Sequence, residues 1–182
     1  IRNFTTISEK LDAHEVVEML NAYFSKVCEP ILNRGGMVNK YIGDAVMAVF
    51  GAPKSYPDHA RRALAAGVDM VKVGKEFRGW MKERFPDRGL PDFAIGVGLH
   101  TGGCVVGDIG SERRTEFTAI GDTVNAASRL EGMTKELGVW LVASAATIKE
   151  AGQGITTGKT ETVTVKGRVE PIEVFEVVEM VE

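Results

Sequence analysis

Two polar side chains, Asn125 and Arg129, stand four residues apart in a segment where a helix is predicted to begin after a glycine turn. Residues four apart share one face of a helix, so the amide and the guanidinium fork lie side by side. Both groups suit the sugar and phosphates of a nucleotide, because an amide donates and accepts and a guanidinium binds two phosphate oxygens. An isolated pair of this kind is more often part of a solvated helix face. The other polar groups of the chain decide between these interpretations.

A second polar group lies upstream, where Gly43 and Asp44 separate two apolar runs. Apolar runs joined by a glycine–acid pair predict a β-hairpin with the acid at its bend. Lys40 comes shortly before the bend, in the first of the two strands. An aspartate at such a bend often serves turn geometry alone. The order of the groups is therefore a lysine, a bend aspartate, and later an amide and an arginine on one helix.

Helices and strands must position these groups. Helices are predicted over residues 8–33, 58–84 and 123–137, with a short one from residue 144. Strands are predicted over residues 37–41, 45–50, 93–101, 104–109, 117–120 and 139–143, with terminal strands within residues 155–178. Two hairpins interrupt the alternation of helices and strands. The pattern therefore predicts an α+β fold with a mixed sheet and helices on one face, rather than a doubly wound parallel sheet.

The bulk properties narrow the class of protein. The 182 residues are long enough for one domain with a real core, and the formal charge of −3 argues against a nucleic-acid-binding surface. No window approaches the roughly 18 apolar residues of a membrane span. We expect a cytoplasmic domain covering residues 1–182, as a fragment of a longer protein.

Three motifs in this order resemble the catalytic domain of the class III nucleotidyl cyclases, the adenylyl and guanylyl cyclases. They are the opening residues 1–5, the hairpin at residues 39–51 and the segment at residues 116–130. The resemblance extends to about Val178 and implies a ferredoxin-like βαββαβ core whose first strand would lie before Ile1. It also implies a reaction, the attack of the ribose 3′-hydroxyl of ATP on its own α-phosphate. The products are cyclic AMP and pyrophosphate.

The resemblance implies two divalent metal ions, Mg²⁺ or Mn²⁺, held by two aspartates. Asp44 matches the second aspartate, and the first would come immediately before Ile1, whose backbone carbonyl would also bind metal. Asn3, Phe4 and Thr5 would offer backbone N–H groups to phosphate oxygens. We call residues 1–5 the phosphate loop. The family usually has glycine where this chain has Asn3, and asparagine tolerates the same left-handed backbone.

The positions of Lys40 and Thr118 match the two that read the purine in these cyclases. Adenine has an acceptor at N1 and a donor at N6, which suit a lysine donor and a threonine acceptor. Guanylyl cyclases typically have glutamate and cysteine, or a related residue, at these positions, since guanine has the opposite polarity. The pair therefore implies ATP as substrate and disfavours a guanylate cyclase.

The resemblance also assigns the remaining polar groups. Asn125 would orient the ribose, and Arg129 would stabilise charge on the transferring phosphate. Lys166 matches a late lysine that contacts the β- and γ-phosphates. Arg113 matches an arginine that reaches the phosphates, and its neighbour Arg114 is an equally good match.

Each active site of the family combines residues from two protomers. One protomer would supply Asp44, Arg113 and the phosphate loop, and the other would supply the remaining groups: Lys40, Thr118, Asn125, Arg129 and Lys166. Because this chain carries both sets, the resemblance implies a symmetric homodimer with two sites. A sensor or membrane domain is expected upstream.

Two alternatives stay open beside an active adenylate cyclase. One is a degenerate cyclase domain that dimerises or binds nucleotide without catalysis, and a natural protein that lacked the first metal aspartate would favour it. The other, less favoured, is a guanylate cyclase. A diguanylate cyclase is disfavoured, because its hairpin would carry Gly-Gly-Asp/Glu-Glu-Phe where this one has Ile-Gly-Asp-Ala.

Overall fold

The computed structural model describes residues 1–164 and 170–181 of the chain. Its helices are α1 (Phe4–Lys10), α2 (Ala13–Asn33), α3 (His59–Arg84), α4 (Asp122–Leu137) and α5 (Ala145–Ala151). Its strands are β1 (Met37–Ile42), β2 (Ala45–Val49), β3 (Val97–Leu99), β4 (Val105–Ser111), β5 (Arg114–Ile120), β6 (Leu141–Ser144), β7 (Ile155–Val163) and β8 (Ile172–Met180). The order confirms the predicted α+β class.

The strands form three hydrogen-bonded groups. β1 and β2 make one antiparallel hairpin, and β4 and β5 make another. The other four strands form a sheet in the order β3-β6-β8-β7. β3 and β6 run parallel in it, whereas the other neighbours are antiparallel. The predicted mixed sheet is therefore confirmed, with both hairpins outside its ladder.

The prediction that helices cover one face of the sheet is wrong. Successive strand residues point to opposite faces, and β6 uses both of them. Leu141 and Ala143 pack into the core formed with α2 and α3, whereas Val142 packs with the buried side chains of α4. Helices thus lie against both faces, which leaves every residue of β6 buried.

Gly98 in β3 lets α4 approach the sheet closely. A Cβ at this position would lie 2.2 Å from the backbone nitrogen of Glu131 and 2.7 Å from the carbonyl oxygen of Ala127. Neither atom can move without displacing the helix. Glycine at this position therefore sets how near α4, which carries Asn125 and Arg129, lies to the sheet.

The main core lies between α2, α3 and the opposite face of the sheet. The rings of Tyr23, Phe77 and Phe93 contact one another there, with centroids 4.8 to 5.7 Å apart. Such tilted and edge-on arrangements are the favoured ones for aromatic rings. Across the described residues, no helix is both long enough and apolar enough to cross a membrane.

Element boundaries differ most from the predictions in three places. The strand predicted over residues 93–101 is confined to β3, Val97–Leu99. The helix predicted over residues 8–33 is two helices, and Asp12 and Glu15 form a capping box that begins α2. β4 and β5 are longer than predicted and meet at a two-residue turn, Glu112 and Arg113. The polar residues of this hairpin are mostly exposed, so they lack the alternation of buried and exposed residues by which strands are recognised.

Candidate active site

Asp44 lies at the bend between β1 and β2, as predicted, and faces the start of the chain. Its Oδ2 lies 2.8 Å from the backbone nitrogen of Ile1, and its side chain is 26% exposed. Gly43 supplies the positive φ of 60° that the bend requires. Among the described residues, no three His, Cys, Asp or Glu side chains gather as a metal cluster. Asp44 and Ile1 are nevertheless close in space, although α1, α2 and β1 lie between them in sequence.

The phosphate loop turns into α1 at Asn3. This residue has φ 55° and ψ 28°, the left-handed conformation that asparagine tolerates better than most residues. α1 begins at the next residue, Phe4, and its first turn is closed by the bond from the Ile7 N–H to the Asn3 carbonyl. The N–H groups of the first turn have no partner within a helix and so remain available as donors.

Lys40 and Thr118 come together because β1 lies against β5. The amide nitrogen of Asn39 donates to the carbonyl of Phe117 at 2.9 Å, across 78 residues of sequence. Lys40 is the next residue on β1, and Thr118 is the next on β5. Thr118 is 6% exposed, and Lys40 is partly exposed. The purine-reading pair of the resemblance is therefore one local site within a single chain.

Asn39 fixes the hydrogen-bonding role of Thr118. The Thr118 hydroxyl donates to the Asn39 Oδ1 at 2.9 Å, so its proton is used and its lone pairs can accept from a ligand. The β1–β2 register shifts between Val38 and Lys40, which places Asn39 at a bulge. A bulge can turn a side chain away from the regular ladder. Sequence reasoning missed Asn39, although it directly precedes Lys40.

Glu116 is the second residue that sequence reasoning missed. Its Oε1 lies 2.9 Å from the Lys40 Nζ, and the carboxylate is 55% exposed. Glu116 and Thr118 are two apart on β5 and so lie on the same side of the strand. That spacing is the signal by which Glu116 could have been found. The purine-reading pair thus comes with a carboxylate beside its lysine.

α4 carries Asn125 and Arg129 on its exposed surface. The Arg129 Nη1 lies 2.9 Å from the Glu136 Oε1, two turns further along the helix. Arg129 and Glu136 line an open groove of about 470 Å³ between the C-terminal half of α4 and the end of β7. Arg129 therefore points along the helix in a single chain, and an exposed pair of this kind holds it only weakly.

The two candidate arginines occupy different places in the β4–β5 hairpin. Arg113 lies in the two-residue turn, whereas Arg114 is in the ladder opposite Ser111. Both side chains are exposed. Lys166 falls outside the described residues. The choice between Arg113 and Arg114, and the role of Lys166, stay predictions.

The described contacts sort the candidate residues into two groups. Asp44 and the phosphate loop form one, at the start of the chain and the bend of the first hairpin. Lys40 and Thr118 form the other, with α4 following directly from β5. Among the described side chains, Lys40 pairs with Glu116, which lies beside Thr118 in its own group.

Comparisons with known proteins identify the family of the chain. The family model for the adenylate and guanylate cyclase catalytic domain matches residues 1–178. Adenylate cyclase 1 of Rhizobium meliloti is 36% identical over 181 residues, which cover all of this chain and 27% of that protein. The adenylate cyclase of Anabaena cylindrica is 33% identical over 180 residues, covering 97% of this chain and 35% of the relative. The chain thus spans about a third or less of these two relatives.

Solved structures include cyclases of both nucleotide specificities. The guanylyl cyclase Cya2 superposes with a TM-score of 0.89 at 35% identity, covering all of this chain and 89% of that one. The adenylyl cyclase CyaB from P. aeruginosa superposes with a TM-score of 0.79 at 30% identity, covering 98% and 89% respectively. The chain belongs to the adenylate and guanylate cyclase catalytic domains, the class III nucleotidyl cyclases.

Proposed function

We propose that this chain is an adenylate cyclase, which converts ATP to 3′,5′-cyclic AMP and pyrophosphate. The observation that carries the proposal is the arrangement of Lys40, Thr118 and Asn39 between β1 and β5. A lysine ammonium can only donate, so it suits the N1 acceptor of adenine. The Thr118 proton is already bonded to Asn39, which leaves the hydroxyl oxygen to accept from the adenine N6.

Residues of α4 and of the phosphate loop act on the phosphates of the substrate. Asn125 orients the ribose so that its 3′-hydroxyl lies in line with the α-phosphate, and Arg129 stabilises the charge on that phosphate. The first-turn N–H groups at Asn3, Phe4 and Thr5 bind the phosphates that leave as pyrophosphate. Positioning and charge stabilisation of this kind supply most of the catalysis in phosphoryl transfer. Arg113 and Lys166 are proposed further phosphate contacts.

Asp44 and Ile1 fit the divalent metals that this family implies. Mg²⁺ and Mn²⁺ prefer carboxylate and carbonyl oxygens, and Asp44 is a partly exposed carboxylate at the mouth of the site. A residue immediately before Ile1 would be attached to the nitrogen that lies 2.8 Å from Asp44. An aspartate at that position, which the resemblance implies, would supply the other carboxylate of a two-metal site. Bound metals would lower the pKa of the attacking hydroxyl and neutralise phosphate charge.

A symmetric homodimer would complete each site. The first hairpin exposes Tyr41 and Ile42, and the second exposes Val105, Phe117 and Ile120. These side chains flank the purine-reading pair, so a surface that covers them also closes the site. A second copy of this chain would bring its Asp44 and phosphate loop to the groups on α4. Any sensor or membrane domain upstream is a separate proposal, supported by the greater length of the two relatives.

A guanylate cyclase is the second candidate, and two observations favour it. The guanylyl cyclase Cya2 is a near structural neighbour. Glu116 also places a carboxylate acceptor beside Lys40, and guanine carries donors where adenine has an acceptor. Lys40 still disfavours guanine, because the ammonium would face the guanine N1–H donor.

The test is conversion of ATP and of GTP to cyclic nucleotides with Mg²⁺ or Mn²⁺. The protein assayed must include the residues upstream of Ile1, where the first metal aspartate is expected. Asp44→Asn serves as the metal-site control, and Asp92→Asn, at a surface carboxylate that pairs with Lys82, serves as its match. We expect cyclic AMP from ATP, lost in Asp44→Asn and retained in Asp92→Asn.

The other outcomes would replace the proposal with a specific alternative. A higher kcat/KM with GTP would make the chain a guanylate cyclase. If folded, dimeric protein that binds ATP formed neither product, the result would support a degenerate domain that regulates without catalysis. Activity that survived in Asp44→Asn would contradict the assignment of the metal site.

A further inference from the structure

The Arg2 side chain joins the phosphate loop to the far end of α4. Its Nη2 donates to the carbonyl of Thr134 at 3.0 Å and also to the carbonyl of Val139. These partners lie 132 and 137 residues away in sequence. The backbone of Arg2 is held as well, since its N–H donates to the Ala94 carbonyl at 2.8 Å. One residue thus connects two elements that carry different parts of the site.

The end of α4 is a favourable place for a cation. The helix stops at Gly138 in the left-handed conformation, and the Val139 N–H donates to the Thr134 carbonyl at 2.9 Å. The carbonyls of a helix C-terminus carry partial negative charge, which attracts cations. Lys159 reaches the same end from β7, where its Nζ donates to the Leu137 carbonyl at 2.7 Å. Arg2 differs from Lys159 because it comes from the phosphate loop.

The contact of Arg2 restrains geometry more than it adds stability. Burial lowers the pKa of the Arg2 guanidinium, and the negative charge of Glu131 opposes this effect. The group stays charged because arginine does not lose its proton in proteins. Its Nε is buried with no hydrogen-bond partner in residues 1–164 and 170–181. A buried donor without a partner is destabilising, which offsets much of the gain from the two bonds.

The two elements joined by Arg2 serve different active sites. Under the proposed function, on which this inference rests, the phosphate loop of a protomer contributes to one site of the dimer. The α4 helix of the same protomer contributes Asn125 and Arg129 to the other site. A displacement of Arg2 would therefore affect both sites. It would affect one site through its neighbours Ile1 and Asn3, and the other site through α4.

We propose that Arg2 is a positioning residue that links the phosphate loop to α4 within each protomer, so that every Arg2 supports both active sites of the dimer. Arg2 touches neither the ribose nor the reacting phosphate in this role. It fixes the position of the phosphate loop relative to α4, while other side chains act on the substrate.

Mixed dimers test the link. A subunit with Asp44→Asn is combined with one carrying Asn125→Ala, which leaves a single intact site. That site uses the phosphate loop of the Asn125→Ala subunit and the α4 of the Asp44→Asn subunit. Arg2→Met is then introduced into one subunit or the other. Methionine resembles the unbranched aliphatic part of arginine but has no hydrogen-bond donors. Lys159→Met is the matched control, since it removes a different donor to the same helix end.

We expect Arg2→Met to lower the kcat of the intact site about tenfold in either subunit, as small misplacements of reacting groups do. Lys159→Met should leave the kcat within about twofold, because it leaves the phosphate loop in place. An effect of Arg2→Met confined to one of the two subunits would overturn the link. A fall in kcat that Lys159→Met matched would overturn it too, since loss of a helix cap would then suffice.

Amide hydrogen exchange tests the link between the phosphate loop and α4 without any measurement of activity. Arg2→Met should speed exchange at Ile7, which closes the first turn of α1, and at Val139, which closes the end of α4. Lys159→Met should affect the end of α4 alone. Faster exchange at only one of the two amides in Arg2→Met would refute the link. Mixed dimers that recovered no activity would refute the shared active site instead, and the exchange result would still stand.

Discussion

The Nζ of Lys40 and the Oε1 of Glu116 lie 2.9 Å apart, so β5 orients the lysine that we propose to face the purine. The pair spans the contact between β1 and β5, next to the Thr118–Asn39 hydrogen bond. Under the proposed function, four side chains from two strands share the recognition of the base. Lys40 and Thr118 would touch the base, and Glu116 and Asn39 set their direction and hydrogen-bonding role.

Glu116→Gln should weaken the use of ATP. The ion pair is partly exposed, and such pairs contribute below about 1 kcal/mol, so we expect the KM for ATP to rise about two- to fivefold. Any turnover of GTP should fall as well, because Glu116→Gln removes the carboxylate that could accept from guanine. Steady-state kinetics with both nucleotides measures this. Glu112→Gln in the turn of the same hairpin is the control, and an equal change in both variants would count against a role at the base.

Lys40→Glu combined with Thr118→Cys should reduce the preference for ATP. The change replaces a donor with an acceptor where adenine offers an acceptor at N1, and the hydroxyl opposite N6 becomes a weakly bonding thiol. We expect the ratio of kcat/KM for ATP over GTP to fall by at least about tenfold. Lys72→Glu, at a solvent-exposed lysine of α3 that pairs with Asp69, is the control for added negative charge. An unchanged ratio would show that these positions do not read the base.

Asn125→Ala and Arg129→Ala should each lower kcat strongly while the fold persists. Removing one group that stabilises charge or aligns the nucleophile costs on the order of 100- to 1,000-fold in related chemistry. Both side chains are exposed, so the melting temperature should stay close to that of the unchanged protein. Lys135→Ala, at an exposed position of the same helix, should leave kcat unaltered. Full activity in Arg129→Ala with an intact fold would remove Arg129 from the site.

Gly98→Ala should destabilise the protein and displace α4. The added methyl group would meet the backbone at Glu131, and overpacking of this kind costs about 1–3 kcal/mol. Gly132→Ala is the matched control, because a Cβ at this helical position has open space around it within 4 Å. It should stabilise the protein by about 0.4–1 kcal/mol. Thermal unfolding of both variants measures the difference, and equal shifts would contradict the close approach at Gly98.

The local motifs were predictable from sequence because their signals are local. The bend at Gly43 and Asp44 follows from turn chemistry between two apolar runs, and the shared face of Asn125 and Arg129 follows from helical periodicity. The family resemblance rested on the same short segments. The capping box at Asp12, in contrast, has a local signal that the apolar periodicity across residues 8–33 concealed.

Only the tertiary structure decided which distant residues meet. The sequence by itself determined the α+β class, most of the order of the elements and the types of the site residues, since these depend on patterns within single elements. The contact of Lys40 with Glu116, the link from Arg2 to Thr134 and the approach of α4 at Gly98 depend on how whole elements pack. The spacing of Glu116 and Thr118 places the glutamate on the same side of β5, but it does not identify Lys40 as its partner. Arg2 and Gly98 leave no periodic trace in sequence, because a single arginine or glycine looks the same on a solvated surface as in a packed junction.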